Sequence, residues 1–241
     1  MNRLSWVILV FAIGFAAVHL VPLLVWKPWP ANSLIGIGTA LDLLSPLIML
    51  PMYMLLYQWG HNRTPVQSSQ PSMWWGLAFL VFAVLWVEGH GMHLAANAIS
   101  LALKAANISG KPYAVTYLFD EVISHYLWHL GMVGLSALVV VREWLKPVPG
   151  QTAPWMLILP AGLVYGGIFF GAVTEGGTWP LGLTFAVVFC VGGLVLGRAR
   201  LRTQPLLAFF STGYLVAAVC FVAWAVIWGG MPQFTEVGLI N

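Results

Sequence analysis

Seven stretches of this chain stay apolar for as long as a hydrocarbon layer is thick, and that decides what it can fold into. A core of about 30 Å takes roughly 20 helical residues to cross. The runs 4–26, 33–58, 73–103, 113–141, 154–174, 179–197 and 206–229 are each about that long. The expected fold is all-α: a polytopic membrane bundle of seven transmembrane helices, with residues 1–241 forming one integral membrane domain. Composition agrees. Only 7% of residues are charged and 60% are hydrophobic, against roughly 25% charged in an ordinary soluble domain, too few to cover a water-facing surface. The net charge of +3 is small and dispersed, which excludes nucleic acid as a partner.

The connectors are short and carry Pro, Gly or charge, as in "HNRTPVQSSQPS" and "REWLKPVPGQTAP". The first run exceeds the 7–15 apolar residues typical of a signal peptide, so it reads as a retained span. Arg3, Arg63, Arg142, Lys146, Arg198, Arg200 and Arg202 fall on one side of the membrane; Lys27, Lys104 and Lys111 fall on the other. That bias predicts a cytoplasmic N-terminus in the plasma membrane. Cys190 and Cys220 lie singly in apolar runs and read as small core residues. Gly192, Gly193 and Gly197 would permit close helix packing on the sixth span, and the oligomeric state stays open.

Against this apolar background the ionisable residues stand out. His61 lies in a loop, but His19 is in the first span, His90 and His93 in the third, and His125 and His129 in the fourth. Asp42, Glu88, Asp120 and Glu121 also lie within apolar runs. A charge at the bilayer centre costs about 2.5–3.5 kcal/mol on insertion scales, so such residues turn inward and mark function. Helical periodicity puts His90, His93 and Asn97 on one face of the third span. It puts Glu121, His125 and His129 on one face of the fourth, with Met132 and Ser136 continuing the stripe. Glu88 falls nearly opposite His90 and joins it only if the helix distorts at Gly89 and Gly91. Asp120 points away from the His125 face, towards Ser124. Counted from a hairpin tip near Ile108, His93 comes level with Glu121, and His90 with His125. Glu88 likewise comes level with His129.

Two histidines at i and i+4 share a helix face and can hold one metal ion. The expected ligands are His90, His93, His125 and His129, with Glu121 as a further ligand or an acceptor for an imidazole N–H. Glu88, Asp120 and Glu121 are the candidate catalytic acids and bases. His19, Asp42, Asn97 and Ser124 are supporting residues. His19 alone also reads as a helix-to-helix hydrogen-bond partner, Asp42 as a group serving a backbone kinked before Pro46, and Glu175 as a solvated turn residue. On the expected topology the cluster opens to the extracytoplasmic side.

The segment "SHYLWH" and the span count resemble the alkaline ceramidase and progestin/adipoQ receptor superfamily, seven-span zinc proteins with an HxxWH-like pair. The resemblance rests on His125, Trp128 and His129. It departs in placing the pair on the fourth span, in a seventh span without histidine, and in lacking Ser-x-x-x-His on an early span. It implies zinc-dependent hydrolysis of a lipid-like substrate, such as a membrane lipid or lipophilic small molecule. The spacings HxxxH and HxxH also resemble membrane desaturases and hydroxylases, so an iron or copper oxidase holding two ions is the alternative. Haem ligation and a proton or metal-ion conduit are further readings. A retinal Schiff base is disfavoured, because no lysine sits mid-span.

Overall fold

The computed structural model describes residues 3–25, 36–59 and 73–240; Lys27, His61 and Arg63 lie outside them. Seven helices in it are long and apolar enough to span a membrane, and no strand runs through the described residues. The chain is therefore an all-α integral membrane protein. Its helices are α1 (Arg3–Leu24), α2 (Ile37–Asp42), α3 (Ser45–Trp59), α4 (Met73–Ala105), α5 (Lys111–Tyr117), α6 (His125–Leu145), α7 (Trp155–Glu175), α8 (Trp179–Cys190) and α9 (Pro205–Trp228). Two π-helical segments, Leu118–Ser124 and Val191–Leu196, join α5 to α6 and extend α8.

Leu23, Leu47, Met156, Leu163 and Val226 are exposed on the outside of the bundle, the side that lipid would meet. Inside, Phe11, Phe15, Tyr53, Tyr165, Phe209 and Tyr214 pack edge-to-face and tilted around one centre. At the opposite end from α5, the Glu143 carboxylate accepts the backbone N–H groups of Leu206 and Leu207 at 3.2 and 2.8 Å. Those are orphan donors of the first turn of α9, which begins on Pro205, so a buried acid caps a buried helix end.

Proline removes a backbone donor in the first span and breaks the second. Pro22 in α1 cannot donate to the Val18 carbonyl; Ser45 Oγ lies 3.5 Å from that oxygen and donates at 3.1 Å to Asp42 Oδ1. Pro46 likewise leaves the Asp42 carbonyl without its i+4 partner, and the second span divides into α2 and α3 at Leu43–Leu44.

The α4–α6 pair packs closely through glycines on both helices. A Cβ at Gly131 would sit 2.6 Å from the Trp86 backbone nitrogen and 2.7 Å from the Phe82 carbonyl. A Cβ at Gly89 would strike the backbone of Ser124 and Trp128 in return. Gly193 and Gly197, by contrast, serve packing within the chain, against Ser211 and Trp144. Gly131→Ala should lower stability by about 1–3 kcal/mol through overpacking. Gly91→Ala, where a Cβ meets nothing within 4 Å, should leave it unchanged or slightly raised. Thermal unfolding of the two variants in detergent measures the contrast.

A candidate histidine–carboxylate site

Trp128 lies at the centre of the polar residues. The rings of His19, His90, His93, His125 and His129 lie 4.7–6.2 Å from it, centre to centre. His93 and His125 face each other at 4.6 Å, and His125 and His129 stack at 5.9 Å. Five histidines from α1, α4 and α6 thus form one cluster. The level expected for His125 is displaced: it meets His93, while His90 meets Trp128. The cause is the π-helical segment, whose wider turns hold more residues for the same advance along the axis and draw His125 towards the hairpin tip.

The same segment relocates Asp120. In an α-helix it would turn from the His125 face, whereas the wider turn of an i→i+5 helix brings residues five apart closer to one face. Asp120 is accordingly buried, with Oδ1 2.8 Å from His93 Nδ1, an ion-pair separation outside hydrogen-bond alignment. Ser124 Oγ donates to the Asp120 carbonyl one turn back. Glu121 is half-buried and lines the cavity described below. Glu88 is exposed on the outside of α4, which stays a regular helix through Gly89 and Gly91, so it does not join the cluster. Asn97 is part-buried on α4 and forms no hydrogen bond within the cluster among the described residues.

The hydrogen bonds fix which ring nitrogen carries a proton. His19 Nδ1 donates to the Phe15 carbonyl at 2.7 Å, and His125 Nδ1 to the Glu121 carbonyl at 3.1 Å. His129 Nδ1 lies 2.5 Å from Thr178 Oγ1, whose own proton goes to the Val173 carbonyl at 3.4 Å. A carbonyl only accepts, so Nδ1 is the donor in His19 and His125; with the Thr178 hydroxyl turned to Val173, we assign Nδ1 as the donor in His129 too. Nε2 then holds a lone pair. His90 is reversed: its Nε2 donates to the Asp42 carbonyl at 2.9 Å, the oxygen that Pro46 leaves free. Its Nδ1 holds the lone pair. The nitrogens His19 Nε2, His90 Nδ1 and His129 Nε2 are buried with no hydrogen-bond partner.

Sequence reasoning missed Thr178 and Gly176, which come from the turn between α7 and α8. A Cβ at Gly176 would sit 2.7 Å from His129 Cε1 and 3.3 Å from His125 Cγ, so this turn closes directly over both rings. Nothing in the sequence marks Trp128 as the residue on which all five rings converge. Asp42 offers its backbone carbonyl to His90 and its Oδ1 to Ser45 Oγ at 3.1 Å, with Oδ1 3.6 Å from His90 Nε2.

A cavity of about 610 Å³ opens beside the cluster. His19, Asp42, His93, Glu121 and His125 form its polar end. Leu20, Leu23, Ile168, Phe234 and Ile240 form an apolar one. As the rings stand, no three or more His, Cys, Asp or Glu side chains among the described residues are arranged to hold a metal ion. His125 and His129 are within 9° of parallel, so a shared ion would need one ring to turn. Comparison with known protein families, with curated proteins and with solved structures returns no match.

Asp120→Ala leaves a buried imidazole without its acid and should cost about 1–3 kcal/mol. Glu88→Ala should stay within about 0.5 kcal/mol of the parent. Thermal melts of both proteins test the placement of the two acids.

Proposed function

We propose that this protein is a metal-dependent membrane hydrolase, with zinc as the metal and a lipid-like molecule as substrate. One observation carries the reading. His125 and His129 turn Nδ1 to a carbonyl and a hydroxyl, the outer-shell arrangement that orients metal-ligating imidazoles, and His93 Nδ1 lies 2.8 Å from the Asp120 carboxylate. Nε2 is then the nitrogen left for an ion on each ring. Ligands at about 2.0–2.1 Å in tetrahedral array set imidazole centres roughly 5 Å apart, and the separations here are 4.6 and 5.9 Å. His19 is a fourth candidate of the same tautomer; His90 acts by holding the broken second span to α4.

Bound there, zinc would supply an acidified water with a pKa of about 7. Glu121, on the cavity wall, is the residue to take and return a proton. Asp120 holds His93. The apolar end of the cavity favours a substrate with an alkyl portion, and the shared His125–Trp128–His129 pattern supports the same class. The site faces the extracytoplasmic side on the charge bias of the connectors.

A conduit is disfavoured by the aromatic packing below the cluster. The polar stripe of α6 ends at Ser136, which bonds Tyr53 at 2.9 Å and Tyr165 at 3.2 Å, and Tyr165 bonds Tyr214 at 3.2 Å. Phe11, Phe209 and Phe210 close around these fully buried hydroxyls.

Elemental analysis of the purified protein tests the reading. It should find close to one zinc per chain, lost in a His125→Ala/His129→Ala variant. Two iron or copper ions per chain would favour the oxidase instead. A metal-free protein, unchanged by adding zinc, would overturn the proposal. Thr178→Val removes the acceptor of His129 Nδ1 and should weaken zinc affinity by roughly 10–100-fold, read by competition with a chromogenic chelator.

A further inference from the structure

Beyond α9 the chain turns back over the cavity. Gly229 ends the helix at φ 67°, a left-handed conformation that glycine adopts without strain. Residues 231–240 then cross the end of α7. Trp224 Nε1 donates to the Pro232 carbonyl at 2.9 Å, and the Phe234 ring packs on Trp224 at 4.7 Å and Phe170 at 5.8 Å. Glu175, the last residue of α7, takes the rest. Its Oε2 accepts the backbone N–H of Phe234 at 2.7 Å and of Thr235 at 3.3 Å, and its Oε1 accepts Thr235 Oγ1 at 2.8 Å. Both carboxylate oxygens are therefore committed to this segment. Phe234, Thr235 and Ile240 form one wall of the cavity whose other wall carries His93, Glu121 and His125.

We infer that residues 231–240 are a lid over the histidine cavity and that Glu175 is its latch. The two attachments differ in kind. The Trp224–Pro232 bond lies beside the Gly229 turn and is part-buried, which suits a hinge. The Thr235 bonds to Glu175 are exposed, so water can replace them with little loss. The Phe234 ring lies against α7 beside Gly171, 3.9 Å from where a Cβ would be, and this seats the closed lid. Phe234 and Ile240 present apolar surface inwards, with the Thr235 hydroxyl between them in sequence. The closed lid thus suits an occupant with both an apolar and a polar part. The inference needs the cavity and not the metal.

Diethylpyrocarbonate labelling of each histidine, read by peptide mass spectrometry, tests the lid on the whole protein in detergent after EDTA treatment. In Glu175→Ala, and in a chain ended after Met231, labelling of His93 and His125 should rise roughly tenfold. His90 and His129, which lie behind them, should stay protected. Glu175→Gln keeps one acceptor oxygen and should give a smaller rise. Unchanged rates at His93 and His125 in both altered chains would overturn the lid. A parallel rise at His90 and His129 would also overturn it, because the segment would then be clamping the bundle together. Failure of the zinc reading alone would leave these rates as expected.

Discussion

Inside a bilayer no water reaches the backbone, so every carbonyl freed from a helix needs another donor. This constraint shapes the site. Pro22 and Pro46 each remove one amide proton; His90 meets the stranded oxygen of Asp42, and Ser45, shared with Asp42 Oδ1, lies 3.5 Å from that of Val18. The Glu121 carbonyl, in the π-helical segment, takes His125. Irregular backbone and buried imidazoles are thus two halves of one arrangement. The breaks supply acceptors, the acceptors fix the tautomers, and the tautomers decide where lone pairs remain.

That arrangement depends on close helix approach. Gly89 and Gly131 let α4 and α6 meet backbone to backbone, which brings His93 within ring contact of His125. Gly176 does the same from above, letting the α7–α8 turn settle on His125 and His129 while Thr178 reaches His129.

The seven spans were legible because length and apolarity are properties of each segment alone. The inward stripe of His125 and His129 was legible because i and i+4 share a face of any regular helix. What the sequence hid came from departures from regularity and from distant segments. Asp120 turns inward only because residues 118–124 wind as a π-helix, and nothing in "LFDEVIS" announces that. Glu88 stays outside because α4 does not distort at its glycines. Thr178 and Glu175 sit in a turn whose polar residues read as solvated, yet one orients an imidazole and the other holds the chain's last described segment. A usable signal did exist for the Asp42 carbonyl: it lies four residues before Pro46, which cannot donate to it.

The central claim is that the fold commits Nδ1 of the α6 histidines and leaves Nε2 for an ion. Nitrogen-15 NMR of histidine-labelled protein reads it directly. The account predicts the Nδ1–H tautomer for His19, His125 and His129 and the Nε2–H tautomer for His90. Added zinc should then move the Nε2 resonances of His93, His125 and His129. Nε2–H at His125 and His129, or Nε2 signals indifferent to zinc, would contradict it.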